Sequence, residues 1–149
     1  MPLNQKAANK AAPDKTILVV EDDPYNAEFL SLAIAHESRY FPLVVATGAE
    51  ALRVMQQITP TLLLIDYRLP QMSRIELYDL LQQTEGPEVP PTIILSASLE
   101  KLETELKERH LVGLSKPLEL TDLLETIEQV VAVRAQMLLA PGGSASEDD

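Results

Sequence analysis

Acidic, hydroxyl and basic side chains follow the ends of four separate apolar runs in this sequence. These residues are Glu21, Asp22, Asp23, Asp66, Ser96 and Lys116. Crowded carboxylates repel one another unless a cation lies between them, and Mg²⁺ commonly binds one or two carboxylates together with phosphate oxygens. A carboxylate can also be a nucleophile that forms an aspartyl phosphate, while cations and hydrogen-bond donors hold the phosphoryl oxygens. The residue types therefore indicate Mg²⁺-dependent phosphoryl transfer, if the fold brings them together.

Five apolar runs alternate with amphipathic stretches along the chain. The predicted strands are 16–20, 41–46, 62–65, 92–95 and 113–115. The predicted helices start near residues 24, 48, 73, 99 and 121, and the first, second and fourth end near residues 35, 58 and 109. Strands that are aliphatic throughout and separated by helices are typical of a parallel sheet covered on both faces. Right-handed crossovers then predict a doubly wound α/β fold.

Helix start signals support these boundaries. Asp23 followed by proline is a typical N-cap and first helical position, so we interpret Asp23 as a cap and not as a ligand. Ser73 and Glu76 have the spacing of a capping box. On the fourth helix, Glu105 with Arg109 and Glu103 with Lys107 have the order and spacing of favourable ion pairs.

In an open α/β sheet, ligands bind outside the carboxyl ends of the strands. Asp66 by itself is consistent with a strand that simply ends at water, and Ser96 or Lys116 alone with an ordinary surface residue. Because all of them follow predicted strands, we expect them to meet at one edge of the sheet, which favours a site. His36 and His110 have no partner at motif spacing, and we predict that both are surface residues.

The segments "ILVVEDD", "TGAEAL", "LLLIDYRLPQM", "IILSAS" and "LSKP" occur together, in an order and spacing that carry a family resemblance. Over about residues 15–135, the sequence resembles the receiver domain of two-component response regulators. The resemblance implies a flavodoxin-like, five-stranded parallel sheet with the strand order 2-1-3-4-5.

The resemblance also implies functional roles. Asp66 is expected to accept a phosphoryl group from a sensor histidine kinase or a histidine phosphotransfer protein. Ser96 corresponds to the switch hydroxyl, and Lys116, preceding a cis Pro117, to the phosphate-binding lysine. Slow loss of the phosphoryl group is then the only further reaction expected, so the chain is not predicted to be a turnover enzyme.

The metal implied by the resemblance is Mg²⁺, and no other cofactor is implied. Glu21 and Asp22 correspond to the acidic pair that holds the ion, together with Asp66. The backbone carbonyl of Arg68 corresponds to a further ligand.

Three residues depart from the family pattern. Arg74 replaces a glycine beside the acceptor loop, and Arg68 is a large cation two residues after Asp66. Gly113 replaces the aromatic residue expected three positions before Lys116, so the usual movement of that ring is not available.

The sequence therefore predicts a phosphorylated receiver with an unusual output. A phosphate-independent interaction module is the alternative. A phosphohydrolase is disfavoured because Arg68 lies where such an enzyme needs a second aspartate.

Composition limits the other functions. The formal net charge of −11 argues against a nucleic-acid surface, the absence of cysteine excludes thiolate chemistry, and no apolar stretch approaches the ~20 residues of a membrane span.

We expect disordered tails at 1–14 and 140–149, a receiver domain at 15–139, and a cytoplasmic location. With no output domain after residue 139, we expect output through an unidentified protein target. The apolar residues beyond Val131 indicate either a homodimer surface involving the fourth and fifth helices or a frayed end.

Overall fold

A computed structural model describes residues 15–66, 73–85 and 89–139 of the chain, which form an alternating α/β structure. The strands are β1 (Thr16–Val20), β2 (Phe41–Val45), β3 (Leu62–Asp66), β4 (Thr92–Ser96) and β5 (Val112–Ser115). The helices are α1 (Pro24–Glu37), α2 (Gly48–Met55), α3 (Arg74–Glu85), α4 (Glu103–Arg109) and α5 (Leu120–Leu139). A 3₁₀ helix over Leu99–Leu102 precedes α4.

All neighbouring strands are parallel, and their order is β2-β1-β3-β4-β5. Every residue of β1, β3 and β4 is buried. This burial explains why these strands are aliphatic at successive positions instead of alternating with polar residues. The predicted doubly wound, flavodoxin-like sheet is confirmed.

Helices cover both faces of the sheet, each face with its own apolar cluster. On one face, Leu30 and Ile34 of α1 pack with Leu123 and Ile127 of α5. The cluster on the other face includes Ala51, Met55, Leu77, Leu81 and Leu106, which belong to α2, α3 and α4. Burying one leucine or isoleucine side chain contributes about 1.5–3 kcal/mol, so these two layers fix the helices against the strand ends.

Two predicted helix starts are present. The Asp23 carboxylate accepts a hydrogen bond from the Asn26 amide at 3.0 Å and caps α1. At α3, Ser73 Oγ accepts from the Glu76 amide at 3.1 Å, and Glu76 Oε1 accepts from the Ser73 amide at 2.9 Å. Because the donors and acceptors lie within three residues of each other, these caps depend on local sequence alone.

The predicted fourth helix is not one regular α-helix. Its first turn, Leu99–Leu102, is a 3₁₀ helix, and α4 begins only at Glu103. The Ser98 carbonyl accepts from the Lys101 amide, three residues on, which is the 3₁₀ pattern. The Ser98 amide itself donates to Ser96 Oγ at 3.0 Å, which ties this tight turn to the end of β4.

The ion pair predicted within α4, between Glu105 and Arg109, is replaced by an ion pair between α4 and α3. The Arg109 guanidinium donates to both carboxylate oxygens of Asp79 on α3, from Nε at 2.7 Å and from Nη2 at 2.9 Å. Toward Glu105, Arg109 donates to the backbone carbonyl and not to the carboxylate. The fork of the guanidinium matches a carboxylate on the neighbouring helix better than one on its own helix, so Arg109 links α3 to α4.

Other boundaries differ from the prediction by a few residues. The largest difference is at α2, which ends at Met55 and not near residue 58, because the amides of Gln56 and Gln57 bond three residues back and close the helix. The α5 helix continues to Leu139, and Val133 and Met137 are exposed on it. The predicted tails lie outside the described residues. No helix among the described residues is long and apolar enough to cross a membrane.

Candidate functional site

Two carboxylates lie buried at the carboxyl edge of the sheet. Glu21 is the first residue after β1 and is 1% exposed, and Asp66 is the last residue of β3 and is 2% exposed. Because β1 and β3 are neighbours in register, their ends place the two side chains next to each other. Carboxylates are rarely buried without a partner, so this pair requires compensating charge.

Lys116 provides part of that charge. Its Nζ lies 2.7 Å from Asp66 Oδ1, and its side chain is 22% exposed. The Lys116 amide donates to the Ser96 carbonyl at 3.0 Å, which extends the pairing of β4 and β5 by one residue. The following Lys116–Pro117 bond is cis, as predicted. The structure therefore brings Lys116, Asp66 and Glu21 together from three strand ends.

The environment of Glu21 favours its neutral form. Burial, together with a hydrogen bond to Asp66 when Glu21 is protonated and the charge of that aspartate, raises the pKa of Glu21 from 4.5 to about 8. The Asp23 amide and the Lys116 ammonium act in the opposite direction but do not cancel the increase. Two carboxylates share a poorly solvated site, so a proton or a cation is needed between them.

The donor set fits a hard divalent cation. Glu21 Oε2 accepts from the Asp23 amide at 2.9 Å, whereas the buried Oε1 has no hydrogen-bond partner among the described residues. Asp22 is exposed, and no three carboxylate or imidazole side chains in residues 15–66, 73–85 and 89–139 gather as a metal cluster. Mg²⁺ often binds only one or two protein carboxylates, so Glu21 and Asp66 suffice. The predicted Arg68 carbonyl ligand lies outside the described residues.

Ser96 ends β4 at the same edge and is 1% exposed. Its Oγ accepts from Arg74 Nη2 at 3.1 Å and from the Ser98 amide at 3.0 Å. The contact between Arg74 and Ser96 was not predicted. The sequence signal was the presence of a long cation where a glycine was expected, but its direction depends on how α3 packs beside β4.

Gly113 lies in the middle of β5, opposite Ile94. A Cβ atom at this position would lie 2.5 Å from Leu99 Cδ1 and 2.9 Å from Leu106 Cδ1. The space beside Gly113 is therefore filled by two leucines, and a side chain of any size requires them to move. This agrees with the absence of the expected aromatic residue.

A stripe of exposed apolar side chains on α1 was also not predicted. Tyr25, Phe29 and Leu32 are 81%, 48% and 51% exposed, and their spacing of four and three residues places them on one side of the helix. The stripe begins in the first turn of α1, four residues after Glu21 in the sequence. His36 and His110 are exposed, as predicted.

Comparison with known proteins identifies similar molecules. A family model described as "Response regulator receiver domain" matches residues 17–128. The DNA-binding response regulator MtrA of Mycolicibacterium smegmatis is 32% identical over 90 residues, which is 60% of this chain and 38% of that protein. This chain therefore corresponds to a little over a third of that regulator.

Two solved structures share the fold. A CheY-like response regulator receiver domain protein from Methanospirillum hungatei JF-1 superposes with a TM-score of 0.73 at 24% identity, covering 83% of this chain and 98% of that one. The receiver domain of a sensor histidine kinase from Pseudomonas aeruginosa PAO1, with a magnesium ion in its active site cleft, has a TM-score of 0.69 at 23% identity, covering 80% and 98%.

Proposed function

The chain belongs to the response regulator receiver domain family, and on this premise we propose that it is a signalling module that accepts a phosphoryl group on Asp66. The donor is a sensor histidine kinase or a histidine phosphotransfer protein. The observation that carries the proposal is the buried Asp66 carboxylate, with Glu21 beside it and Lys116 Nζ 2.7 Å away.

The chemistry follows from these groups. An Asp66 oxygen attacks the phosphorus of a phosphohistidine, so that a P–O bond forms while the P–N bond breaks. The imidazole nitrogen keeps the bonding electron pair and leaves as a neutral ring, because its other nitrogen carries a proton. Lys116 neutralises charge on the phosphoryl oxygens, and the Ser96 hydroxyl donates to one of them. Low solvent exposure at Asp66 strengthens both interactions.

Glu21 and Asp66 are the side chains proposed to hold Mg²⁺, with Asp22 and the Arg68 carbonyl as further candidates. When bound, Mg²⁺ supplies positive charge to the carboxylates and the phosphoryl oxygens. The Glu21 oxygen that lacks a hydrogen-bond partner and the raised Glu21 pKa both support a cation at this position. Among carboxylates near the strand end, Asp23 is committed to capping α1 and is not proposed as a ligand.

The α1 stripe, defined as Tyr25, Phe29 and Leu32, supports docking of the phosphodonor. A helical partner with an apolar face can cover these three side chains, while its histidine reaches the adjacent strand ends. We propose that output also occurs through protein contact.

The test is intact-protein mass spectrometry after incubation with Mg²⁺ and acetyl phosphate. We expect a labile gain of one phosphoryl group that is absent in Asp66→Asn and in the presence of EDTA. Asp23→Asn is the matched control, because asparagine still caps the helix and the reaction should proceed. No gain in wild-type protein, or an equal gain in Asp66→Asn, would refute the assignment.

A phosphate-independent interaction module remains the second candidate. The leucines packed against Gly113 favour it, because they occupy space that a moving ring would need. Under this alternative, partner binding is unchanged in Asp66→Asn and unaffected by acetyl phosphate. Under the first proposal, the Asp66→Asn substitution and the addition of acetyl phosphate each alter partner binding.

A further inference from the structure

Arg74 reaches from the start of α3 to the end of β4. Its Nη2 donates to Ser96 Oγ at 3.1 Å across 22 residues of sequence, and its Nε is shielded from solvent. An arginine at the first turn of an exposed helix usually extends into water, whereas this side chain is directed toward the carboxyl edge of the sheet.

The contact determines how Ser96 can form hydrogen bonds. A serine hydroxyl has two acceptor positions and one hydrogen to donate. Both acceptor positions are used, one by Arg74 and the other by the Ser98 amide. Because Ser96 is 1% exposed, water does not readily replace these donors. The hydroxyl hydrogen is therefore the only hydrogen-bonding position of Ser96 that is still available. It must point away from Arg74 and the Ser98 amide, because both of these groups are donors.

Sheet register places the backbone of Ser96 one residue beyond the strand partner of the acceptor, at the same carboxyl edge. Asp66 is paired with Leu95, the residue immediately before Ser96. A phosphoryl group on Asp66 would present three oxygens at this edge, each of which accepts hydrogen bonds. The remaining hydrogen of Ser96 is suited to one of these oxygens.

We propose that Arg74 is a positioning residue for phosphoryl transfer, which holds the Ser96 hydroxyl as a donor to the phosphoryl group. This inference rests on the proposed function of Asp66. A hydroxyl without the guanidinium can rotate and use its hydrogen elsewhere, so the donor must be reoriented during each reaction. With the guanidinium in place the donor is oriented beforehand, which is the basis of electrostatic stabilisation in preorganised sites.

The test compares initial rates of phosphorylation by acetyl phosphate at saturating Mg²⁺. We expect Arg74→Ala to lower the maximal rate about ten-fold, which is less than the 10²–10³-fold typical of removing an oxyanion donor outright. The acetyl phosphate concentration at half-maximal rate should not change. Arg74→Lys, which can still donate to Ser96, should recover most of the loss. Arg53→Ala removes an equal charge from the exposed face of α2 and should have no effect.

The decisive variant is Arg74→Ala combined with Ser96→Ala. If Arg74 acts through the hydroxyl, the double variant is no slower than Ser96→Ala alone. An equal ten-fold loss in both backgrounds would show that Arg74 acts by another route and overturn the inference. An unchanged rate in Arg74→Ala would also overturn it, while leaving Asp66 as acceptor. If wild-type protein gains no phosphoryl group, the proposed function fails together with the inference. Equal thermal midpoints and equal Mg²⁺ affinity of the variants exclude a folding effect.

Discussion

Replacement of Gly113 by alanine is a direct test of the packing beside β5. The added Cβ atom would lie 2.5 Å from Leu99 Cδ1 and 2.9 Å from Leu106 Cδ1, both shorter than ordinary carbon–carbon contacts. Leu106 is 8% exposed and has little space in which to move, whereas Leu99 is only partly buried. Leu99 should therefore be the side chain that shifts.

The magnitude follows from two opposing terms. Overpacking a core position typically costs about 1–3 kcal/mol. Alanine in place of glycine within a strand restores about 0.5–1 kcal/mol, because the unfolded chain loses less conformational freedom on folding. The difference between the two ranges is about 0–2.5 kcal/mol, and we expect Gly113→Ala to lower the free energy of unfolding by an amount near the middle, about 1 kcal/mol.

The assay is urea unfolding of wild-type protein, Gly113→Ala, Leu99→Ala and the double variant. Removing the Leu99 side chain abolishes the 2.5 Å contact and leaves a cavity into which Leu106 Cδ1 can move away from the 2.9 Å contact, so Gly113→Ala should be neutral or slightly stabilising in that background. The coupling energy is then about 1–2 kcal/mol. Ser115→Ala, at an exposed position of the same strand, is the control and should change stability by less than about 0.5 kcal/mol. A full cost of Gly113→Ala in the Leu99→Ala background would refute the reasoning.

Three further predictions concern charges. Lys116→Ala should destabilise the protein by about 2–4 kcal/mol, because the buried Asp66 carboxylate loses a nearby cation, and Mg²⁺ should reduce this loss in urea unfolding. Asp23→Ala should cost about 1 kcal/mol without changing Mg²⁺ affinity measured by calorimetry, whereas Asp22→Ala should weaken Mg²⁺ binding with little change in stability. Hydrogen bonds from Arg109 lower the pKa of Asp79 below its ordinary 3.8, so the pair stabilises the fold above that pH and the effect is lost as the pH falls through the lowered pKa. Asp79→Asn should therefore cost about 0.5–1 kcal/mol at pH 7, and this cost should shrink as the pH falls through the lowered pKa in acid unfolding series.

Each of these has a contrary outcome. An Mg²⁺-insensitive loss in Lys116→Ala would separate the lysine from the proposed metal site. Weaker Mg²⁺ binding in Asp23→Ala would make Asp23 a ligand as well as a cap. A deficit of Asp79→Asn that does not shrink as the pH falls would mean that its effect does not come from the carboxylate charge, because an ion pair disappears once the carboxylate is protonated.

Local patterns in the sequence determined much of this molecule. The aliphatic runs fixed the strands, because a strand buried on both faces has no polar positions. Caps at Asp23 and at Ser73 with Glu76 required only donors and acceptors a few residues apart. The meeting of Asp66 with Lys116 also followed, because parallel strands bring their carboxyl ends to a common edge.

Only the tertiary structure determined which residues the long side chains contact. Arg74 reaches Ser96, and Arg109 reaches Asp79 in preference to the Glu105 carboxylate, since the distances between α3, α4 and β4 are set by the whole core. No sequence spacing encodes those distances. The two leucines against Gly113 are a further case, because which neighbours fill the space left by a missing side chain depends on how every adjoining element packs.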